Sequence, residues 1–243
     1  KIFAKLPQIP KKIHISWKQK NGLDLCAKYS ILNNGICNLK KMNPDWDMII
    51  YDDNDIDKYL EEKLSLSDYN LIKDRKIVEK TDLWRLLIIY NKGGIYQDID
   101  RLYNVPLSKL IKKNTKCILP IYKHNDFSQD IMISCPGNPI HKLAIDLNVS
   151  RRRSGQKNLV YLGPDTYLHS ISQILINKQL VRGNCKKELK ILEKELNKCK
   201  YIETGLEFPQ YNTITYKGDK VEFDKQKFYD YYKVLHHTSP NTK

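Results

Sequence analysis

The stretch from Lys80 to Asp100, KTDLWRLLIIYNKGGIYQDID, constrains the fold of this chain more than any other. Its first half is apolar on most sides, which predicts a buried helix, and Gly93-Gly94 then predicts a tight turn. A short strand follows and ends in Asp98 and Asp100. Residues i and i+2 of a strand point to the same face, so the two carboxylates are expected to lie side by side. A helix, a turn and a strand in this order are typical of an α/β fold.

Two carboxylates at one strand end suit a divalent cation, because Mg²⁺ and Mn²⁺ prefer oxygen ligands and share them with phosphate groups. A bare D-x-D occurs by chance in many proteins, and a solvated strand end is the simpler alternative. The buried helix and glycine turn add weight, since loops at the carboxyl ends of a sheet bind ligands in α/β folds. In this interpretation Asp98 reaches a ribose and a metal-bound water, while Asp100 ligates the metal directly.

Alternating strand and helix patterns predict one α/β domain over residues 1–243 of this 243-residue chain, with a mostly parallel central sheet, flanking helices and C-terminal additions. Residues 151–155, RRRSG, are expected to form a mobile loop. Strands are predicted at 11–18, 46–51, 95–100, 117–121 and 131–134, and a hairpin joins 214–216 to 221–223. Helices are predicted near 22–40, 56–64, 77–91, 106–111, 138–148, 166–179 and 185–200.

The net charge of +14 favours an acidic partner, but the basic residues are dispersed, so charge alone says little about function. No apolar run approaches the ~20 residues that span a bilayer. The chain starts at Lys1, which is compatible with a trimmed anchor and with either a cytoplasmic or a lumenal catalytic domain that is soluble as given. Peripheral contact with a membrane fits the same composition.

Six scattered cysteines include no C-x-x-C pair and no zinc-finger spacing, so reduced core cysteines are the simplest interpretation. Two local pairs leave an alternative open, since an oxidising compartment would favour a disulfide in either of them. These pairs are Cys26 with Cys37 and Cys185 with Cys199.

Asp82 and Arg85 lie three residues apart on the predicted buried helix and therefore on one face. Burying charged groups is costly unless they have partners, and the simplest partner for each is the other. The functional alternative is that Asp82 binds sugar hydroxyls while Arg85 binds the sugar or the diphosphate, since Arg suits bidentate recognition of both.

Three further places carry candidate residues. Trp17, at the end of the first predicted strand, is either a core residue or a platform for a nucleobase, and His14 alone is more typical of the strand core. In the tail, one of His236 and His237 could complete a metal shell, although a frayed terminus is the simpler interpretation. Asp130 precedes a predicted strand and is expected to face the sugar or the acceptor.

Several segments occur in a characteristic order from Ile9 to Tyr103 and at the tail, and together they resemble the DXD-containing glycosyltransferase family 32. That family is similar to the yeast-type initiating mannosyltransferases and, distantly, to the catalytic domains of large glucosylating toxins. The segments are Ile9-Pro10-Lys11-Lys12-Ile13-His14 with Trp17, Asn43-Pro44-Asp45-Trp46 with Asp52-Asp53, Lys80-Thr81-Asp82-Leu83-Trp84-Arg85, Gly93-Gly94-Ile95-Tyr96 with Asp98-Ile99-Asp100, and His236-His237.

The resemblance implies a GT-A, Rossmann-like fold, a UDP-sugar or GDP-sugar donor, Mn²⁺ or Mg²⁺, and transfer with retention to a hydroxyl of a glycan or protein. It divides the chain into a nucleotide-sugar half, 1–103, and an acceptor-side half, 104–243. It assigns the donor to Ile13, His14, Ile15, Trp17, Asp82, Arg85, Tyr96 and Asp98. It assigns catalysis to Asp82, Arg85, Asp98 and Asp100, and the metal to Asp98, Asp100, His236 and His237. The tail lacks the tryptophan that often follows this histidine pair.

Three other functions are compatible with parts of the sequence. A nucleic-acid-binding module would use the +14 charge, but no helix-turn-helix or zinc finger is present, and no nucleic-acid partner is expected. A metal-dependent phosphohydrolase or nuclease would need further metal ligands and leaves Trp17 and Tyr96 without a role. The presence of Asp82, Arg85, Asp98 and Asp100 together argues against an inactive transferase. A metal-dependent glycosyltransferase is the function that the sequence favours.

Overall fold

The structure is a computed structural model that describes residues 2–18, 20, 23–24, 33–99, 101–103, 106–119, 121–122, 126–127, 129–180, 186–203, 206–210 and 213–216. Its strands are β1 (Lys12–Ser16), β2 (Asp47–Tyr51), β3 (Gly94–Gln97), β4 (Leu102–Tyr103), β5 (Cys117–Ile118), β6 (Ile121–Tyr122), β7 (Asp126–Phe127), β8 (Ile131–Ser134), β9 (Ile202–Glu203), β10 (Leu206–Gln210) and β11 (Thr213–Tyr216). Its α-helices are α1 (Asn38–Met42), α2 (Asp53–Lys63), α3 (Leu66–Tyr69), α4 (Ile77–Lys92), α5 (Leu107–Leu110), α6 (Pro139–Arg153), α7 (Leu159–Leu162), α8 (Pro164–Ile176) and α9 (Lys186–Lys198).

The main sheet has six strands in the order β2-β1-β3-β8-β5-β9. β1 pairs in parallel with β2 and β3, and β5 pairs in parallel with β9. β8 is antiparallel to both of its neighbours, β3 and β5, so it is the one reversed strand of this sheet. The prediction of a mostly parallel central sheet is confirmed. The sheet takes β1 to β3 from residues before 104 and the other three strands from residues after it.

A second sheet has the order β4-β11-β10-β6-β7. β6 belongs to this second sheet and β5 to the main sheet. Residues 117–121, which were predicted to form one strand, are therefore divided between the two sheets. β11 pairs antiparallel with β10, which precedes it, so the described hairpin lies before the predicted one. The second arm of the predicted hairpin, 221–223, lies outside the described residues.

The main sheet carries an apolar cluster on each face, because successive side chains of a strand point to opposite sides. Ile13, Ile15 and Ile95 belong to one cluster, which also contains Leu39 of α1. Tyr96 belongs to the other, where α4, α6 and α8 pack. The two central strands β3 and β8 are buried at every position, so β8 is a run of apolar residues closed by Ser134.

The buried helix of the sequence analysis is α4, whose side chains from Leu83 to Ile89 are all buried. It ends at Gly93, where φ is +64°, and Gly94 follows with φ +96°. A Cβ on Gly93 would lie 2.7 Å from the Pro136 nitrogen, and one on Gly94 would overlap the carbonyl oxygen of Lys12. Both glycines are therefore required by conformation and by space. Pro136 and Pro10 crowd Gly93, and the close approach of β1 crowds Gly94.

Residues 151–153 are not the loop that the sequence suggested, because α6 continues to Arg153. Arg152 is buried and bonds Glu79, and Arg153 is exposed and paired with Asp68. An arginine run is usually solvated, and the partner that buries Arg152 lies 73 residues away in sequence. No local pattern could have shown that.

Cys37 takes part in a disulfide, whereas Cys117, Cys135 and Cys199 are free thiols. Because Cys199 is free, the alternative pairing of Cys185 with Cys199 is wrong. Cys26 lies outside the described residues, so the pairing of Cys26 with Cys37 is not decided. Among the helices that are described, none is long and apolar enough to cross a membrane.

Candidate functional site

The candidate site lies at one edge of the main sheet, where the carboxyl ends of β1, β2 and β3 meet the amino end of β8. The reversed direction of β8 brings Ile131 opposite Gln97, and the Asp98 amide donates to the Asp130 carbonyl over 2.8 Å. α4 runs back along the sheet, so its first turns, with Asp82 and Arg85, return to this edge. Ligands bind at such edges in open α/β sheets.

Arg85 is the centre of the site. Its Nη2 lies 3.1 Å from Asp82 Oδ1, and its Nη1 lies 3.6 Å from Asp98 Oδ1. The same Nη1 donates to the Gln129 carbonyl over 2.9 Å, and the guanidinium stacks 4.8 Å from the Tyr96 ring centroid. The predicted pairing of Arg85 with Asp82 is present, and Arg85 also reaches the first carboxylate of the D-x-D. One buried cation thus joins the helix motif to the strand motif.

The charges of the site are strongly coupled. Burial alone would lower the pKa of Arg85, but the neighbouring Tyr96, Asp98, Asp82 and Asp130 together raise it. Burial raises the pKa of Asp82, and the Arg85 charge opposes that effect. Arg85 therefore stays cationic at any physiological pH.

Tyr96, in β3, and Asp98, directly after β3, lie two residues apart, and their side chains meet. The Tyr96 hydroxyl donates to Asp98 Oδ1 and lies 3.4 Å from Ser16 Oγ at the end of β1. Burial raises the pKa of the Tyr96 phenol well above its usual range, so it remains a donor. The Asp98 side chain keeps a third of its surface exposed, enough to contact a ligand.

Asp130 is mostly buried and forms an ion pair with Arg101. Burial raises the pKa of the Asp130 carboxyl, and the Arg101 charge opposes this. Asp130 was predicted from the sequence, but its partner Arg101, which is also buried, was not. A basic residue directly after the D-x-D was the signal that could have found it.

Gln129 and Gly163 form a wall beside Asp82 that the sequence analysis also missed. A Cβ on Gly163 would lie 3.0 Å from Gln129 Oε1 and 3.6 Å from Asp82 Oδ2. Gln129 is buried, and its Nε2 has no hydrogen-bond partner among the described residues. Nothing in the sequence places Gly163 against α4.

Ile13, His14 and Ile15 are buried in β1, between β2 and β3. His14 Nε2 lies 3.0 Å from the Gly93 carbonyl, which can only accept, so Nε2 carries the proton. Nδ1 then accepts from the Tyr51 hydroxyl over 3.1 Å. Burial lowers the pKa of His14 to about 4, so the ring is neutral. The His14 side chain therefore belongs to the core. The contact with the donor that was predicted for Ile13, His14 and Ile15 would have to come from the backbone at the end of β1.

Trp17 directly follows β1 and is partly exposed at the same edge of the sheet. Its amide donates to the Tyr51 carbonyl over 2.9 Å, which holds it at the strand end. Its indole packs against the apolar cluster of Ile13 and Ile15. One part of the ring system is thus fixed while another remains accessible, as a base platform requires.

The predicted metal ligands fall only partly on described residues. Asp98 offers a carboxylate, which suits a hard divalent cation. Asp100, His236 and His237 lie outside the described residues. Within the described part of the chain, no group of three or more His, Cys, Asp or Glu side chains is arranged to hold a metal. Of the four predicted ligands, Asp98 is therefore the one whose position the structure describes.

Comparison with known protein families identifies the stretch that contains most of this site. Residues 30–117 match the model of the glycosyltransferase sugar-binding region containing the DXD motif. Residues 30–117 are thus similar to the DXD-containing sugar-binding region of glycosyltransferases. The match includes Asp82, Arg85, Asp98 and Asp100, whereas Trp17 and the wall at Gln129 and Gly163 lie outside it. The family resemblance predicted from the sequence is confirmed.

Curated relatives of the DXD glycosyltransferase region fall into two groups. One is inositol phosphoceramide mannosyltransferase 1 of Schizosaccharomyces pombe, 28% identical over 145 residues, which are 58% of this chain and 43% of that protein. The others are a toxin of Photorhabdus asymbiotica, 27% identical over 202 residues, and toxin Afp18 of Yersinia ruckeri, 28% identical over 108 residues. These cover 68% and 42% of this chain but only 7% and 5% of the toxins. The chain thus spans less than half of each relative.

A solved structure shares the fold around the DXD glycosyltransferase region. The PaToxG glycosyltransferase superposes with a TM-score of 0.54 over 81% of this chain and 79% of its own, at 22% sequence identity. At this identity the likeness concerns the fold. The α/β fold is of the GT-A type, as predicted.

Proposed function

We propose that the protein is a metal-dependent glycosyltransferase that moves a sugar from a nucleotide-diphospho-sugar to a hydroxyl of a glycan or protein. A UDP-sugar is the favoured donor and a GDP-sugar the alternative. The observation that carries the proposal is Arg85, which contacts Asp82 and Asp98 together at the carboxyl edge of the sheet. If Arg85 served only to stabilise the core through an ion pair, one of these two carboxylates would be enough.

In this proposal, each part of the donor lies against a different residue of the site. Trp17 stacks on the base, and the backbone at the end of β1 bonds its edge. Tyr96 and Asp98 lie by the ribose. Asp82 binds the sugar hydroxyls, and Arg85 lies between the sugar and the diphosphate. The support is that these side chains, from three separate segments, meet at one edge of the sheet.

Catalysis depends on stabilising the diphosphate as it leaves. Arg85 supplies a fixed positive charge in a buried setting, where a charge interacts more strongly than in water. A divalent cation, Mn²⁺ or Mg²⁺, held by Asp98, Asp100 and a histidine of the His236-His237 pair, would act as a Lewis acid on the diphosphate. No carboxylate of the described residues is clearly placed as a covalent nucleophile. We therefore assign retention of configuration to reaction on the donor's own face, with Asp130 on the acceptor side.

The proposal is tested by titrating the protein with UDP-glucose, UDP-N-acetylglucosamine, GDP-mannose and free UDP and GDP, with and without Mn²⁺. Thermal shift reports binding, and released nucleotide reports hydrolysis of the donor. One donor is expected to stabilise the protein strongly only when Mn²⁺ is present. Binding of no nucleotide under any condition would contradict the proposal.

Asp98→Asn provides the matched variant, because it keeps the size of the side chain and removes its charge. We expect it to abolish the effect of Mn²⁺ and to slow donor hydrolysis by at least about 100-fold, the scale of losing an electrostatic contact in the transition state. Asp45→Asn is the control, since Asp45 is an exposed carboxylate paired with Lys11. Equal behaviour of the two variants would remove Asp98 from the site.

A further inference from the structure

Three polar side chains form a chain of hydrogen bonds behind the candidate site. Arg152 Nη1 donates to Glu79 Oε2 over 3.2 Å, and its Nε donates to Asn148 Oδ1 over 2.8 Å. Asn148 Nδ2 then donates to the Leu162 carbonyl over 2.7 Å. Glu79, Asn148 and Arg152 are all buried. The chain of bonds therefore joins α4, α6 and the end of α7.

The Leu162 carbonyl is the point where this chain of bonds reaches the site. Leu162 is the last residue of α7, and the last carbonyls of a helix have no partner within it. Asn148 supplies the missing donor. The next residue is Gly163, whose Cα faces Asp82 and Gln129 so closely that a Cβ would stand 3.0 Å from Gln129 Oε1. A shift of the Leu162 carbonyl would move this wall relative to Asp82.

The arrangement does more than fill the core. An apolar residue at position 148 would avoid the cost of burying an amide, and each buried hydrogen bond adds only about 1 kcal/mol of net stability. The use of a buried Asn and Arg is instead suited to fixing one backbone carbonyl in one place, because a hydrogen bond has a defined length and direction. The carbonyl it fixes adjoins the residue that packs on Asp82.

We propose that Asn148 is a positioning residue, oriented by Arg152 and Glu79, which holds the Leu162–Gly163 turn against Asp82 and so sets one wall of the pocket for the donor sugar. This inference rests on the proposed function, since the wall matters to a ligand only if Asp82 contacts a sugar. It assigns Asn148 and Arg152 no contact with the substrate. It predicts an effect on the sugar part of the donor and none on the nucleotide part.

Asn148→Asp isolates the link to the turn. The new carboxylate still accepts from Arg152, but it cannot donate to the Leu162 carbonyl. We expect the affinity for the nucleotide sugar that binds the wild type, chosen from UDP-glucose, UDP-N-acetylglucosamine and GDP-mannose, to fall about tenfold, the value of one hydrogen bond. The affinity for free UDP or GDP should stay within about twofold. Isothermal titration in Mn²⁺ measures both, and equal losses, or no loss for either ligand, would overturn the inference.

A second variant approaches the wall from the other side, in case Asn148→Asp does not fold. Gly163, with φ −98° and ψ −97°, has no positive φ, and Gly163→Ala introduces a methyl group 3.0 Å from Gln129 Oε1 and 3.6 Å from Asp82 Oδ2. It should show the same selective loss of nucleotide-sugar affinity. Arg153→Gln is the matched control, because Arg153 adjoins Arg152 on α6 but forms an exposed pair with Asp68. A selective loss in this control would show that the effect does not come from the turn.

Hydrogen exchange separates failure of this inference from failure of the proposed function. The Gly163 amide donates to the Leu159 carbonyl, and the Tyr167 amide donates to the Gly163 carbonyl. Both amides should exchange faster in Asn148→Asp than in the wild type and the Arg153→Gln control. If the wild type binds no nucleotide sugar, the proposed function fails, and the exchange rates still decide whether Asn148 holds the turn. Unchanged exchange at both amides would overturn the inference.

Discussion

Gly94 shows, at the scale of one residue, how little space separates β1 from β3. Its φ of +96° is strained for any residue with a Cβ, and that Cβ would overlap the Lys12 carbonyl. We expect Gly94→Ala to lower the free energy of unfolding by at least about 3 kcal/mol, the sum of backbone strain and overlap. Urea unfolding measures the loss.

Gly155→Ala is the control for backbone strain alone. Gly155 also has a positive φ, +81°, but nothing lies within 4 Å of the Cβ position. It should lose only about 1 kcal/mol. If the two variants lose the same amount, the close approach of β1 and β3 is not what requires glycine at position 94.

The residues of the candidate site differ in how far the sequence could reveal them. Asp82, Arg85 and Asp98 were found because they lie within one short stretch whose helix–turn–strand pattern is local. Gln129 and Gly163 were missed because they come from distant segments that meet only in the fold. His14 was correctly suspected to be a core residue, since its neutral ring serves β2 and the glycine turn.

At the scale of the element, α6 contains an unusual group. His141 is fully buried, stacks on Tyr167 with 5.7 Å between ring centroids, and has no partner for either nitrogen among the described residues. Burial lowers the pKa of His141 from 6.5 to about 3. Between these values the unfolded chain binds a proton that the folded chain does not, so stability falls as the pH decreases below 6.5.

The testable quantity is the slope of the unfolding free energy against pH. In His141→Phe, the slope of the unfolding free energy between pH 6 and pH 4.5 should decrease by about 1.4 kcal/mol per pH unit, the value of one proton. Urea unfolding at four pH values measures it. The wild type retains a further contribution from His14, whose pKa is lowered to about 4, so the variant should keep a positive slope. An unchanged slope would show that His141 is not buried as a neutral ring.

Helices and strands were predictable where their pattern is local. α4 was predicted within one residue of its end, because its apolar run and closing glycine suffice. The end of α6 was missed by five residues because Arg152 is buried by Glu79, a partner far along the chain. The division of 117–121 between two sheets also depends on pairing with β9 and β10, which the strand's own residues do not encode.

At the scale of the whole molecule, the net charge of +14 raises the question of nucleic acid. Arg85 is buried among carboxylates, where salt screens little, so donor binding should change by less than about threefold between 50 and 200 mM NaCl. Binding of a 20-base-pair duplex through dispersed surface lysines should fall by at least about 1,000-fold over the same range. Titrations with both ligands test this.

Comparing the two titrations at 200 mM NaCl decides between a nucleotide-sugar ligand and a nucleic-acid ligand. If duplex DNA binds at 200 mM salt and the nucleotide sugars do not, the expectation of no nucleic-acid partner is wrong, and the charge is the functional feature. If only the nucleotide sugars persist, the charge serves solubility or an acidic acceptor.

The reversed strand β8 has a consequence for how such a site can diverge. β8 enters the sheet from the site's own edge, so Gln129 and Asp130 reach the site from the connection between β7 and β8 and not from a strand. Loops tolerate changes of length and sequence that strands do not. The carboxylates and Arg85 belong instead to α4 and β3, within the rigid frame. Proteins with this fold can thus evolve a different ligand preference through this one connection, while Arg85 and the carboxylates keep their positions.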